Sequence, residues 1–162
     1  MDGGMKILVL ASWFRPGAGG AFVHLSEIYR RLPYEIVVVG DRQPGDELTD
    51  TRLPWKITRI QLGVRHSLGR VNTAVSLWRS YRKVRQIVTS EKPDVIHAAY
   101  YLPWALHAAQ LQRTRGIPYA LFTWGEDVLA AESDRLRRRA LRYSGEHARW
   151  LFTNSTFTTE HL

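Results

Sequence analysis

Pro16-Gly17-Ala18-Gly19-Gly20 stands just ahead of a stretch with helical spacing, where glycine lets backbone N–H groups come close to an anion at a helix start. The same residues could also be no more than a turn. Thr123-Trp124-Gly125-Glu126-Asp127 sets two adjacent carboxylates beside an indole. That combination suits a carbohydrate, because carboxylates accept from hydroxyls and an indole face covers apolar C–H surface. The two acids would equally favour the dipole at a helix N-terminus. His97, after Val95-Ile96, could serve as a base or hydrogen-bond donor at a strand end, with a purely structural histidine as the alternative. The six histidines show no H-E-x-x-H or comparable spacing, and no D-x-D pair occurs, so no protein-held metal is expected. Glu27 and Glu35 satisfy an E-x7-E spacing, but Pro33 lies between them and puts them on different elements.

The chain that must position these residues has 162 amino acids, 44% of them apolar and 23% charged, enough to bury a core as one domain. The absence of cysteine excludes disulfides, thiolate metal sites and cysteine nucleophiles, and fits a reducing compartment. The longest apolar runs, Ile7 to Ala11 and Tyr119 to Phe122, are far below the roughly 18 residues of a membrane span. Met1-Asp2-Gly3-Gly4 lacks the basic and apolar regions of a secretory signal, so the expected location is cytoplasmic. A formal charge of +8 calls for an anionic partner: nucleic acid, acidic lipid or a phosphorylated small molecule.

Lys6 to Ser12 is apolar without alternation, as in a central parallel strand covered on both faces. Phe22, Leu25, Ile28 and Leu32 then follow helical spacing up to Pro33, and Glu35 to Gly40 gives a second continuous strand. A turn-rich stretch from Arg42 to Pro54 leads to Lys56–Leu62, whose alternation places it nearer a sheet edge. Asn72 to about Ser90 reads as a helix with Val75, Trp78, Tyr81 or Arg82, Val84 or Arg85, and Val88 on one stripe, and Arg79, Arg82, Lys83 and Arg85 as a basic flank. Val95 to Ala99 is the next strand. Pro103 falls in the first turn of a helix carrying Leu106, Ala109 and Leu111. Tyr119 to Thr123, a helix from Asp134 to His147 with Leu136, Ala140 and Tyr143 on one face, and Trp150 to Thr153 follow, before the start of another helix.

Strands alternating with helices at this spacing predict a three-layer α/β/α domain, doubly wound around a mostly parallel sheet of about six strands. Ligands of such sheets lie at the carboxyl ends of the strands, which here are Trp13 to Gly20, Asp41, His97 to Tyr101, Trp124 to Asp127 and Asn154-Ser155. An NAD(P)-binding oxidoreductase domain is one alternative, with Asp41 as the ribose-binding acid. The loop lacks its fingerprint, since Phe22 stands where G-x-G-x-x-G counted from Gly17 needs glycine. A non-catalytic binding domain is another. The arginines of the helices, Arg135, Arg137, Arg138, Arg139 and Arg142 among them, lie away from the strand ends, so no nucleic-acid partner is expected. Together with Trp78 and Tyr81 they fit an anionic membrane surface.

The ordered set of Pro-Gly-x-Gly-Gly loop, His24-Leu25, Pro93-Asp94-Val95-Ile96-His97, Trp124-Gly125-Glu126-Asp127 and Thr153-Asn154-Ser155 resembles the N-terminal domain of glycosyltransferase family 4 enzymes. These have the GT-B architecture, two Rossmann-like domains facing a cleft. The resemblance covers nearly the whole chain, residues 1–162 as one domain. It implies retaining transfer from a nucleotide diphosphate sugar to a glycan or lipid-linked cell-envelope acceptor, with no metal and no cofactor. It further implies that Gly19 and Gly20 approach the donor diphosphate. Trp13, Arg15, Tyr100, Trp124, Gly125 and Ser155 would hold the acceptor, and His97, Glu126 and Asp127 would be the catalytic candidates. Many relatives have His-Gly-x-Asp where this chain has Trp124-Gly125-Glu126-Asp127. The family's donor-binding domain has no counterpart here, so a second Rossmann-like domain, in the same polypeptide or a partner, is implied, and this chain alone is expected to be a poor catalyst.

Overall fold

The computed structural model describes residues 4–12, 14–62, 70–132 and 134–161. Trp13 and Met1-Asp2-Gly3, singled out above, lie outside them. Six parallel strands form one sheet in the order β3-β2-β1-β4-β5-β6: β1 is Lys6–Ala11, β2 Glu35–Asp41, β3 Lys56–Ile60, β4 Val95–Ala98, β5 Tyr119–Thr123 and β6 Trp150–Thr153. The central place of β1 and the edge place of β3 agree with their apolar patterns.

The strand period of two sorts the core into two layers. Leu8, Leu10, Ile96 and Leu121 face a layer built by α3 (Arg70–Glu91), α4 (Leu106–Arg115), α5 (Gly125–Glu132) and α6 (Arg135–His147). Ile7, Val9, Val38, Val95 and Phe122 face the other side, where α1 (Gly20–Arg31) contributes Leu25 and Tyr29. Beyond α1, the sheet face over β4 to β6 opens into an apolar groove of about 540 Å³, with His97, Phe122, Trp150 and Phe152 in its wall.

Two helix faces differ from the sequence expectation. On α3 the buried positions are Ser80, Val84 and Val88, while Val75 and Trp78 are exposed. Ser80 is drawn inward by its hydrogen bond to Nε2 of the buried His107 (2.8 Å), a polar pair that an apolar-stripe reading passes over. Trp78 instead lies under the Arg82 guanidinium, 4.8 Å from its ring centroid. On α6 the buried residues are Leu141 and Ser144, and Leu136 is exposed. Asp134 caps this helix, accepting from the Leu136 and Arg137 amides at 2.7 and 3.1 Å, which fixes where its first turn begins.

Two further helices were not marked by periodicity: α2 (Asp46–Asp50), inside the turn-rich stretch, and α5, directly after β5. The last helix, α7 (Thr156–Glu160), begins where the sequence placed one. Pro103 follows an extended Leu102 across a cis peptide and stands in the first turn leading into α4.

Candidate functional site

The carboxyl ends of the parallel strands bring most of the candidate residues to one edge of the sheet. After β1 the chain runs through the loop to Gly19, whose φ of 103° and ψ of −173° only glycine adopts without strain. Gly20 opens the 12-residue α1. No side chain caps that helix, and its first turn carries no acid, so its leading N–H groups and positive dipole end are left for an anion. Beyond its chain neighbours and its own helix backbone, a Cβ built on Gly20 would meet no atom of the described residues within 4 Å. The loop's Ala18 and the helix's Ala21 share a small cleft, about 10 Å³, with Ala99 and Tyr100 after β4.

The β5 end joins the same edge. The Trp124 indole donates from Nε1 to the Ala99 carbonyl (2.8 Å), and its ring meets His24 of α1 edge-on at 6.1 Å between centroids. Gly125 and Glu126 are the first residues of α5, with Glu126 exposed. Asp127 is 4% exposed and reaches back to accept from the Trp124 amide at 3.0 Å, one half of a capping box. Both descriptions of these acids thus coexist: the segment starts a helix and also presents a carboxylate at a strand end.

Burial pushes the Asp127 carboxyl up to about 7, aided by the charge of Glu126 and opposed by the Trp124 hydrogen bond. The folded protein therefore keeps a proton that the unfolded carboxyl, near 3.9, has lost, and this group's contribution to stability falls as pH rises from about 4 to about 7. His97 and His107 act oppositely. Burial lowers both to about 4, so their contribution is lost as pH falls from about 6.5 through about 4. Asp127→Asn, which keeps an acceptor for the Trp124 amide, isolates the acid. Its stability relative to wild type should improve by about 4 kcal/mol between acid and neutral pH, measured by urea unfolding at each pH. A difference independent of pH would mean that Asp127 ionises freely.

His97 is not at the extreme tip but one residue inside β4, on the α1 side, where it contributes to the wall of the apolar groove. Its Nδ1 is 3.2 Å from the Tyr29 hydroxyl, and Phe122 packs beside it with centroids 5.4 Å apart. Burial holds Tyr29 protonated, so its O–H can donate to Nδ1, leaving a neutral imidazole with its proton on Nε2. Trp124, Thr123 and Asn154 close the upper end of the groove, so His97 and Trp124 line one space.

Arg15 stands in the loop, Nη1 3.7 Å from the Asp46 carboxylate of α2. Ser155, after β6, caps α7 by accepting from the Thr158 amide at 3.2 Å. Glu27 pairs with Arg30 and Arg31 on α1, whereas Glu35 opens β2 against Lys6. The E-x7-E spacing is therefore accidental. Asp41, at the end of β2, accepts from Gln43 at 2.8 Å.

Periodicity and motif spacing missed Arg59 and Asp46. The side chain of Arg59 is 6% exposed and that of Asp46 3% exposed, directly behind the glycine loop. An arginine and several acids within a turn-rich stretch were the available signal, but nothing in the spacing says which of them pair. Among the described residues no cluster of His, Cys, Asp or Glu could hold a metal ion, and no helix is long and apolar enough to cross a membrane.

Several solved structures share this arrangement. Anabaena HepE, solved with UDP and glucose, superposes with a TM-score of 0.66 at 20% identity over 97% of this chain and 40% of its own. Sucrose-phosphate synthase from Thermosynechococcus elongatus gives 0.68 at 15% identity, over 91% of this chain and 41% of its own. UDP-GlcNAc 2-epimerase from Neisseria meningitidis, bound to UDP-GlcNAc, gives 0.65 at 15% identity, over 97% and 42%. At such identities the likeness is one of fold, and the chain spans about two fifths of the length of these proteins. Comparison with curated proteins gives no match. The family model described as a glycosyl transferase 4-like domain matches residues 17–162, from the glycine loop to the end of the sequence. By that match the chain belongs to the glycosyl transferase 4-like domain family.

Proposed function

We propose that this domain is the acceptor-side half of a retaining glycosyltransferase that moves a sugar from a nucleoside diphosphate sugar to a lipid-linked or glycan acceptor. A second Rossmann-like domain would hold most of the donor. One observation carries the proposal: the uncapped start of α1 after Gly19, the Tyr100 cleft and the Trp124–Asp127 segment converge at the carboxyl edge of the sheet. The structures of Anabaena HepE with UDP and glucose and of the Neisseria meningitidis epimerase with UDP-GlcNAc support a uridine nucleotide as the first donor to try. In this reading Gly19 and Gly20 approach the diphosphate, and Arg15, Tyr100, Trp124, Gly125 and Ser155 surround the acceptor. Glu126 and Asp127 supply the groups that accept from hydroxyls and take up the acceptor's proton, and His97 can donate from Nε2.

The acceptor class follows from charge. α3 and α6 lie in one layer and expose Arg79, Arg82, Lys83 and Arg85 on one helix and Arg135, Arg138, Arg139 and Arg142 on the other. Trp78, 56% exposed, stands among them. A cationic face with an exposed indole suits the surface of an anionic bilayer, at the cytoplasmic side if the substrate is made there.

The test is label transfer from UDP-glucose and UDP-N-acetylglucosamine into an organic-extractable product, using this domain assembled with its donor-binding half and vesicles bearing extracted membrane lipid. Transfer should require the vesicles and fall about tenfold from low to high salt, as surface attraction is screened. Transfer that ignores salt and lipid charge would remove the membrane part alone. No transfer from a range of nucleotide sugars would remove the whole proposal.

A further inference from the structure

Arg59 crosses a strand to reach its partners. Ala11 of β1, Gly40 of β2 and Arg59 of β3 form one row across the sheet, because Ala11 pairs with Gly40 and Gly40 with Arg59. The Arg59 side chain lies over Gly40 so closely that a Cβ there would stand 2.5 Å from its Nη1. Past Gly40 the guanidinium donates from Nη2 to the Phe14 carbonyl at 2.7 Å, within the β1–α1 loop. The same group holds α2: Nε and Nη2 donate to the two oxygens of Asp50 at 3.0 and 2.6 Å, and Asp46 lies 3.6 Å away. Asp46 accepts from the Gln43 amide at 2.6 Å and faces Arg15 of the loop. A planar fork that meets one carboxylate with two N–H groups and a carbonyl with another contact is a geometry lysine cannot copy.

We propose that Arg59, laid across Gly40, is a positioning residue for diphosphate binding: it latches the glycine loop to α2 and so sets where the uncapped amides of α1 stand. The latch acts from 45 residues away through the Phe14 carbonyl and the Arg15–Asp46 contact, and touches no ligand itself. This rests on the reading that the loop faces a donor diphosphate, and the experiment separates the two.

The probe is UDP, titrated calorimetrically into the domain assembled with its donor-binding half, as wild type, Arg59→Lys, Gly40→Ala and the double variant. Amide hydrogen exchange is followed at the loop bonds Ala18 N–H to Arg15 and Val23 N–H to Gly19. Gly40→Ala leaves the charges in place and displaces only the guanidinium, so it serves if Arg59→Lys folds poorly. Each single variant should weaken UDP about tenfold, and the double variant no more than the worse single, because both break the same latch. Exchange should quicken at Ala18 and Val23 while Leu8 and Val38 in the central strands stay protected. Unchanged UDP affinity in both single variants, fully additive losses, or exchange that rises evenly over the sheet would overturn the proposal. A wild-type assembly that binds no UDP would remove the reading of the loop, and the latch would then stand or fall on exchange: quicker loop exchange supports it and unchanged loop exchange overturns it.

Discussion

Gly20→Val should lower affinity for a nucleoside diphosphate sugar about tenfold or more while changing the unfolding free energy by less than about 0.5 kcal/mol. The separation of the two effects is the point. Beyond its chain neighbours and its own helix backbone, a Cβ at Gly20 finds no atom of the described residues within 4 Å, so there is room for the side chain, and valine is tolerated about as well as glycine in a first helical turn. The space it would fill lies at the uncapped end of α1, where a phosphate oxygen would have to approach the backbone. The neighbouring Gly19 would not serve, because at φ 103° any side chain strains the backbone by about 1 kcal/mol or more and the two effects would mix. Affinity is to be measured by titration and stability by urea unfolding on the same preparation. Equal affinity in the variant would discard the diphosphate assignment.

Neutralising both acids after β5, as Glu126→Gln with Asp127→Asn, should cost about a hundredfold in turnover and leave donor affinity within about threefold. Both replacements keep size and hydrogen-bonding capacity. The carboxamide oxygen that Asp127→Asn introduces can still accept from the Trp124 amide, so the start of α5 survives. What disappears is negative charge on the exposed Glu126 and a proton-exchanging group on the buried Asp127, whose carboxyl sits near the pH at which it can both take up and release a proton. Single-turnover and steady-state transfer by the assembled enzyme would measure the loss. Turnover within twofold of wild type would reduce the segment to a helix start.

The frame of the domain was legible because its central strands are buried on both faces, and the continuous apolar runs Ile7–Ala11 and Ile36–Val39 mark them. The helices were legible in place more than in orientation. Polar residues that are buried with a partner, Ser80 with His107 on α3 and α4, break the apolar stripe from which facing is read. Short elements such as α2 have too few turns to show a period at all. The glycine loop and the Trp124–Asp127 segment were readable from composition because their chemistry is local. His97 was readable as a candidate, but its depth inside β4 and its contact with Tyr29 depend on α1 packing over the sheet. Arg59 was out of reach for a stronger reason: its partners Phe14, Asp46 and Asp50 meet only through the registers that align Ala11, Gly40 and Arg59. Sequence separation carries no trace of such a row.

The most direct test of the strand ends as one wall of a nucleotide-sugar site is the amide and indole NMR spectrum of this domain, isotope-labelled and assembled with its donor-binding half, during titration with UDP-glucose and UDP-N-acetylglucosamine. Shifts should concentrate at Gly19, Gly20 and Ala21, at Tyr100 and at the Trp124 indole N–H, and be absent from the amides of α6. Saturable shifts confined to other parts of the fold, or none at any concentration of either sugar nucleotide, would contradict it.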